Sequence, residues 1–175
     1  RADLSALTPH RELLERCLHH DDHARAARLT RRAVRDRFVL VHGLLRALLG
    51  GYLRQRPESI EISVEPGGKP VLAHAAGVHA LGWNVSHSGG ATLFAFAWTL
   101  RVGIDVEDLR REVPTVELSR RFFHPDETRA IQSVPVDRRA AVFFRHWTAK
   151  EAVLKGTGVG LAGSLSGCRV EWSPE

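Results

Sequence analysis

The chain has only two cysteines, Cys17 and Cys168, among its 175 residues, and it has no methionine. Two cysteines so far apart argue against a disulfide framework, and their spacing matches no metal site. We therefore expect reduced thiols and a cytoplasmic protein. Because methionine is absent, we do not expect position 1 to be the natural start of the chain.

Long apolar runs are also absent. No stretch approaches the ~20 consecutive apolar residues of a membrane helix, because the best candidate, residues 38–49, is interrupted by His42, Gly43 and Arg46. The first residues carry no signal-peptide pattern, and we expect no membrane partner. With 43% hydrophobic and 26% charged residues, the chain is typical of globular proteins, long enough for one core or two small subdomains.

Lysine is scarce, with 3 lysines against 22 arginines, and the basic charge is uneven. Residues 1–56 hold 12 arginines against 6 acidic residues, a surplus of +6, whereas the remainder sums to −1. A basic N-terminal third is compatible with nucleic acid, an acidic protein or a polyphosphate ligand. A GC-rich genome would produce the same arginine content without any such partner.

Hydrophobic periodicity predicts alternating groups of helices and strands. From about residue 30, apolar residues recur every three or four positions and predict a helix that ends at Gly50-Gly51. Further helices are predicted at residues 116–123, 126–133 and 136–155. Strands are predicted at residues 60–64, 83–85, 91–98 and 101–106, with the start of another at 170–172. The order indicates an α+β fold with two related halves that meet near Trp98.

Two acidic residues share one face of the predicted strand at 101–106 and its continuation. Asp105 and Glu107 are two positions apart and project to the same side, while Ile104 and Val106 project to the other. Their mutual repulsion would be relieved by Mg²⁺, which prefers one or two carboxylates together with water and phosphate oxygens. The alternative is a pair of solvated carboxylates on an exposed strand.

The last long helix carries Trp147, Glu151 and Lys155 at intervals of four residues, so they share one side. Spacing alone favours an ordinary helix-stabilising Glu–Lys pair, but the apolar neighbours Phe143 and Leu154 indicate a partly buried face. Converging carboxylates and a lysine, between a strand and a helix, suit a hard cation that holds a phosphate ester.

Two other polar clusters have simpler interpretations. Ser86 and His87 are adjacent in an extended segment and point to opposite faces, which argues against a serine hydrolase. A turn with local hydrogen bonds is the other alternative for them. The histidine-rich residues 19–23 fit no closed zinc site, and we expect them to be solvated.

Five segments together resemble the 4′-phosphopantetheinyl transferases of the Sfp type, in the Trp/Lys-Glu-Ala subgroup. They are GKP at 68–70, NVSHS at 84–88, GIDVE at 103–107, WTAKEAVLK at 147–155 and GTGVGL at 156–161. Each is a weak signal alone, but all five occur in the order of that family. The resemblance implies Mg²⁺-dependent transfer (with Mn²⁺ as a substitute) of the 4′-phosphopantetheine arm of coenzyme A to a carrier-protein serine, releasing adenosine 3′,5′-bisphosphate.

The resemblance also implies roles for individual residues. Asp105, Glu107 and Glu151 would be metal ligands, and the catalytic groups would be Glu151 as general base, Lys155 and His87. Contacts with coenzyme A would come from Arg25, Arg37, Lys69, Pro70, Ser86, His87, Lys150 and Lys155. The implied architecture is two similar α/β subdomains related by a pseudo-twofold, with the active site in the cleft. Residues 1–98 would contact the nucleotide, and residues 99–175 would carry the metal and catalytic groups.

The implied partner is an apo acyl or peptidyl carrier protein from fatty-acid, polyketide or nonribosomal peptide synthesis, with secondary metabolism favoured by the subgroup. It would dock on residues 113–123, which begin at Val113 and end at Phe123, where arginines beside apolar groups suit an acidic helix. A monomer without nucleic acid is expected. Two alternatives remain: a Mg²⁺-dependent phosphoesterase with the same acidic cluster, and a nucleic-acid or acidic-protein binding module built on the basic N-terminal third.

Overall fold

The computed structural model describes residues 1–73, 80–159 and 165–172, which combine helices and antiparallel strands. The elements in order are β1 (Ala2–Asp3), α1 (Leu4–Leu7), α2 (Arg11–Glu15), α3 (His20–Arg28), α4 (Arg32–Leu53), β2 (Ile62–Val64), β3 (Pro70–Leu72), β4 (Leu81–Ser88), β5 (Ala91–Trp98), α5 (Thr115–Phe122), α6 (Pro125–Ser133) and α7 (Val136–Thr157). The predicted α+β class is confirmed. Among the described residues, no helix is long and apolar enough to span a membrane.

Helix α4 carries the predicted apolar face, but the prediction that it ends at Gly50-Gly51 was wrong. It continues to Leu53 and ends at Arg54, which adopts the left-handed conformation with φ 53°. Gly50 serves close packing instead, since a Cβ there would lie 2.8 Å from the carbonyl oxygen of Gln55. The glycine therefore lets the chain fold back against the helix.

Strands β4 and β5 form a hairpin, paired from Leu81↔Trp98 to Ser88↔Ala91, and β1 pairs with the outer edge of β5. One face of the hairpin packs on α4. The core on that face contains Leu45, Leu49, Ile60, Leu72, Leu81 and Trp83. Because successive side chains of a strand alternate between faces, Asn84, Ser86 and Ser88 lie on the opposite face of β4.

Helices α5, α6 and α7 enclose an aromatic core. Phe123, Phe143, Phe144 and Ile131 are buried there, and Trp147 packs against them. Phe123 stacks on Phe143 with ring centroids 5.1 Å apart. This cluster holds α7 in the orientation from which its other side reaches β4.

Two predicted strands are not formed. Residues 101–106 and 170–172 have no strand assignment, and the strand predicted at 60–64 is shortened to Ile62–Val64. A strand requires a backbone partner, whereas the amides of Ile104 and Val106 donate to side chains of β4. The prediction of a strand at residues 101–106 was therefore wrong, because side chains of β4 take the place of a backbone partner.

Candidate functional site

Asp105, Lys155 and Ser86 meet where the segment after β5 passes α7. Asp105 Oδ1 accepts hydrogen bonds from Lys155 Nζ at 2.6 Å and from Ser86 Oγ at 2.7 Å. Lys155 Nζ also donates to Ser86 Oγ at 3.2 Å. The Asp105 side chain is 7% exposed and that of Lys155 is 31% exposed, so the pair stands at the edge of solvent.

Gly103 allows this approach of the segment to the helix. A Cβ at Gly103 would lie 1.9 Å from the carbonyl oxygen of Ala152 and 2.4 Å from the backbone nitrogen of Gly156. Any side chain would therefore push the segment away from α7. The glycine brings Asp105, two residues later, beside the turn of α7 that carries Glu151.

Glu151 and Glu107 complete the cluster. Burial is the main cause that raises the pKa of Glu151; the charge of Asp105 raises it further, Lys155 lowers it, and Glu107 raises it. Glu107 Oε2 accepts from Ser88 Oγ at 2.9 Å, and Glu107 Oε1 lies 3.3 Å from Arg111. The charges of Asp105, Glu107 and Lys155 thus all act on Glu151, so the selected side chains lie in one region. Among the described residues, however, the oxygens of the three carboxylates do not all lie within 4.8 Å of one another.

Two carboxylate oxygens of this cluster have no hydrogen-bond partner. Among the described residues, four buried side-chain polar atoms lack one, and two of these are Asp105 Oδ2 and Glu151 Oε1. Buried carboxylate oxygens are rarely left unpaired, because their desolvation is costly. Oxygen ligands of this kind are what Mg²⁺ and Mn²⁺ prefer, so the type of donor atom fits the metal that the resemblance implies.

His87 lies close enough to Lys155 and Arg37 for both positive charges to act on it. Desolvation and the charge of Arg37 lower the pKa of His87, with a smaller contribution from Lys155. An imidazole whose pKa lies below its usual value near 6.5 is neutral at pH 7 and retains one N–H donor.

A cavity of about 290 Å³ lies on the α4 side of β4 and is lined in part by Arg25, His42 and Pro70. The Arg25 guanidinium sits 5.4 Å from the centroid of the Phe38 ring. Burial lowers the pKa of His42 to about 4, and the positive charges of Arg25 and Arg46 contribute to this. Pro70 also lines a second cavity of about 240 Å³ that reaches Lys155.

Lys69 connects the β2–β3 hairpin to the end of α7. Its Nζ donates to the carbonyl oxygens of Val102 at 2.7 Å, Lys155 at 2.6 Å and Gly156 at 3.1 Å. All three ammonium hydrogens are therefore used. Lys69 lines the cavity beside Lys155, but its ammonium group binds backbone carbonyl oxygens and stabilises the end of α7.

Lys150 is not brought to the cluster. Its side chain is fully buried and pairs with Glu127 at 2.7 Å, and it also donates to the carbonyl oxygens of Leu165 and Cys168. Glu127 in turn accepts from the backbone N–H of Val170 at 2.8 Å. With no exposed surface on Lys150, its predicted contact with coenzyme A receives no support from the structure.

Sequence reasoning missed three residues that organise these contacts: Asn84, Ser88 and Glu127. Asn84 and Ser88 belong to the quoted NVSHS segment, but only Ser86 and His87 were assigned roles there. A signal was available in the alternation of β4. Asn84, Ser86 and Ser88 occupy every second position, and Trp83 and Val85 occupy the positions on the other face. Such a pattern indicates a polar face that makes hydrogen bonds of its own. Nothing in the sequence around Glu127 distinguishes it from a surface helix residue.

The histidine-rich segment borders the 290 Å³ cavity on the α4 side of β4, since His19, Asp21 and Asp22 are among its lining residues. His19, His20 and Asp21 offer ligand atoms within 4.8 Å of one another, but the side chains of His20 and Asp21 are 81% and 72% exposed. His19 Nδ1 accepts from the Asp21 backbone N–H at 3.4 Å, at the start of α3. The expectation of a solvated segment therefore holds for His20 and Asp21, but it was wrong for Asp22, which is buried and pairs with Arg46.

Comparisons with known proteins agree on one family. The family model described as the 4′-phosphopantetheinyl transferase superfamily matches residues 101–175. The 4′-phosphopantetheinyl transferase HetI of Nostoc sp. is 41% identical over 145 residues, which are 83% of this chain and 61% of that protein. A putative 4′-phosphopantetheinyl transferase of Synechocystis sp. is 32% identical over 85% of this chain and 60% of its own length. The transferase Sfp of Bacillus subtilis is 28% identical over 72% of this chain and 54% of its own length.

The chain thus spans about three fifths of the length of the first two of these relatives. The family match from residue 101 to residue 175 includes Asp105, Glu107, Glu151 and Lys155.

Proposed function

The chain belongs to the 4′-phosphopantetheinyl transferase superfamily, and we propose that it transfers the 4′-phosphopantetheine arm of coenzyme A to a serine of an apo acyl or peptidyl carrier protein. Adenosine 3′,5′-bisphosphate is the leaving product. The observation that carries the proposal is the meeting of Asp105, Glu107, Glu151 and Lys155 beside β4, with two buried carboxylate oxygens unpaired.

Asp105, Glu107 and Glu151 are the proposed ligands of Mg²⁺, with Mn²⁺ as a substitute. The unpaired Asp105 Oδ2 and Glu151 Oε1 support this assignment. The negative charges of Asp105 and Glu107, which raise the pKa of Glu151, support it as well. When bound, the cation withdraws negative charge from the pyrophosphate of coenzyme A and orients it.

Glu151 is the proposed general base. Burial and the neighbouring carboxylates raise its pKa, which makes it a stronger proton acceptor than an exposed glutamate while it is ionised. It takes the hydroxyl proton of the carrier serine as that oxygen bonds to the β-phosphorus of coenzyme A, the phosphorus that carries the pantetheine arm. The bond from this phosphorus to the bridging pyrophosphate oxygen breaks, and the bridging oxygen leaves with the adenosine product.

Lys155 and His87 are the proposed electrostatic partners of the reacting phosphates. Lys155 is held by Asp105 and Ser86 with part of its side chain in solvent, so its ammonium can meet a phosphate oxygen without leaving the cluster. The neutral His87 imidazole donates one N–H. Both donors stabilise the negative charge that develops on the leaving oxygen and its neighbours.

The nucleotide is proposed to bind along the basic side of β4. Arg37 near His87, and Arg25 and Pro70 in the 290 Å³ cavity, support a site for the adenosine and its 3′-phosphate there. This placement matches the proposed division into residues 1–98 for nucleotide contacts and 99–175 for the metal and catalytic groups. The proposed pseudo-twofold would relate these two parts across the cleft.

The carrier protein is proposed to dock on the segment that contains α5. Arg120 and Arg121 are exposed there, and the Arg121 guanidinium lies 5.0 Å from the centroid of the Phe122 ring. Positive charge beside a partly exposed aromatic ring suits an acidic helix. A carrier from fatty-acid, polyketide or peptide synthesis would satisfy this chemistry, and a monomeric enzyme is proposed.

The proposal is tested by incubating the chain with coenzyme A, Mg²⁺ and an apo carrier protein, and weighing the carrier by intact mass spectrometry. A gain of one phosphopantetheine that disappears with EDTA and returns with Mg²⁺ is expected. Carriers from fatty-acid, polyketide and peptide synthesis are tried in parallel. A carrier whose active-site serine is replaced by alanine is the matched control and should gain no mass.

Two results would contradict the proposal. Hydrolysis of coenzyme A at the same rate with and without a carrier would identify a phosphoesterase. Absence of both mass gain and coenzyme A binding, with all three kinds of carrier, would reject the transferase assignment for this chain.

A further inference from the structure

We infer that Asn84, Ser86 and Ser88 form a side-chain ladder that sets the register of residues 104–108 and orients the carboxylates of Asp105 and Glu107. These three side chains are positioning residues for the cation site, so the inference rests on the proposed function. The hydrogen bonds from the backbone amides of residues 104–108 to these side chains can be tested without any cation.

The register follows from three hydrogen bonds that all have the same sequence separation between donor and acceptor. The backbone N–H of Ile104 donates to Asn84 Oδ1 at 3.0 Å, that of Val106 to Ser86 Oγ at 3.3 Å, and that of Asp108 to Ser88 Oγ at 3.0 Å. In each pair the two residues are 20 positions apart. The segment therefore advances two residues for every two residues of β4 and runs parallel to it, with side chains in place of a backbone partner.

The direction of each hydroxyl proton is determined by its neighbours. Ser86 Oγ receives the Val106 N–H and the Lys155 ammonium, and both of these groups can only donate. Its single proton is left for Asp105 Oδ1 at 2.7 Å. Ser88 Oγ likewise receives the Asp108 N–H and gives its proton to a carboxylate, at 2.9 Å.

The ladder thereby determines which carboxylate oxygens stay available. Asp105 Oδ1 is occupied by the serine and the lysine, so Oδ2 is the unpaired atom. Glu107 Oε2 is occupied by Ser88, while Oε1 lies 3.3 Å from Arg111, whose side chain is 62% exposed. A slip of one residue would turn both carboxylates away from α7 and present Ile104 and Val106 instead.

Amide hydrogen exchange measured by NMR tests the backbone part. Ser88→Ala should accelerate exchange of the Asp108 amide roughly tenfold and leave the Ile104 amide unchanged, because one hydrogen bond is lost. Ser88→Thr keeps the hydroxyl and should restore protection. Ser59→Ala, which removes a hydroxyl bonded to the Arg56 carbonyl at an exposed turn, is the matched control and should change neither amide.

Mn²⁺ titration followed by the EPR signal of the free ion tests the orientation of the carboxylates, with the chain alone and with coenzyme A present. Ser88→Ala should weaken Mn²⁺ binding by about tenfold, the usual cost of removing a group that orients a metal ligand. Ser88→Thr should bind within about twofold of the unmodified chain on the same reasoning. If the alanine variant is unfolded by circular dichroism, Ser88→Cys replaces it, because a thiol is a weak donor and acceptor of similar size.

The outcomes separate this inference from the proposed function. Unchanged Mn²⁺ affinity and unchanged Asp108 exchange in Ser88→Ala would overturn the ladder while leaving the metal site intact. An unmodified chain that binds no Mn²⁺ under either condition, or an Asp105→Asn variant that binds it equally well, would overturn the proposed metal site. Accelerated Asp108 exchange with unchanged Mn²⁺ affinity would overturn the orienting role of Ser88.

Discussion

Two lysines of helix α7 make ion pairs of nearly equal length in opposite surroundings. Lys150 lies 2.7 Å from Glu127 with 0% of its side chain exposed, and Lys155 lies 2.6 Å from Asp105 with 31% exposed. The step of five residues from Lys150 to Lys155 turns the helix by about 140° beyond one full turn, so the two amines point to different sides. Lys150 faces the core between α6 and residues 165–172, whereas Lys155 faces β4.

The two ion pairs differ in how many of their buried polar atoms have hydrogen-bond partners. Lys150 has Glu127 and two carbonyl oxygens, and Glu127 also accepts from two backbone amides. Around Lys155, by contrast, two buried carboxylate oxygens remain unpaired. A saturated buried ion pair holds structure together, while an unsaturated one at the edge of solvent can bind a ligand. The same residue type on one helix therefore makes a saturated structural contact at one position and supports the proposed chemistry at the other.

The largest expected effect is on stability, in Lys150→Met. Removing the amine leaves Glu127 as a buried charge without its partner, which typically costs about 3–5 kcal/mol of unfolding free energy. Urea unfolding followed by circular dichroism measures it. Arg138→Met, at an exposed position of the same helix, is the control. A loss below about 1 kcal/mol would mean that the buried pair is not structural.

Asp105→Asn should have the largest effect on catalysis with little effect on folding. The amide keeps the shape and the acceptor for Ser86 but loses the charge that pairs with Lys155 and that is proposed to bind the cation. We expect phosphopantetheine transfer to fall about a hundredfold or more, as measured by the rate of carrier mass gain. Asp137→Asn on the exposed first turn of α7 should retain the full rate. Equal rates in the two variants would contradict the role of Asp105.

Lys155→Met tests the comparison directly. The Lys155 side chain is 31% exposed, so water can replace its ammonium beside Asp105, whereas Glu127 would be left without water in Lys150→Met. Lys155→Met should therefore be the more stable of the two variants in the same urea experiment. Transfer should nevertheless fall by about tenfold to a hundredfold, because a cation that stabilises developing charge is lost. If Lys155→Met proved the less stable of the two, the assignment of structural and chemical roles would be reversed.

The smallest expected effect is on the melting temperature of Glu151→Gln and on how it varies with pH. Because burial raises the folded-state pKa of Glu151 above its ordinary 4.5, ionisation above that pH disfavours the fold. Glutamine removes this cost, so the variant should melt a few degrees higher than the unmodified chain at pH 7. The difference should disappear as the pH falls below 4.5, where both states of the glutamate are protonated. A lower melting temperature of the variant at pH 7 would show that the Glu151 charge is stabilising.

Local sequence patterns predicted the residues of the acidic cluster, but they did not predict the contacts that hold the surrounding segments in place. Two-residue spacing placed Asp105 and Glu107 on one face, and four-residue spacing aligned Glu151 with Lys155, because these relations depend only on strand and helix geometry. Lys150 was assigned to the ligand by resemblance and lies buried against Glu127 instead. That partner is 23 residues away in the chain, a distance at which no local pattern specifies contact.

The sequence by itself therefore determined the α+β class, the extents of α6 and α7 to within about two residues, and the set of side chains that form the acidic cluster. These properties follow from side-chain periodicity and local turn chemistry. Only the tertiary structure decided how residues 104–108 are held, which lysine is buried, and that Lys69 binds the carbonyl oxygens at the end of α7. Those contacts join residues 20 to 87 positions apart, and which polar groups meet there depends on how the packed elements bring them together.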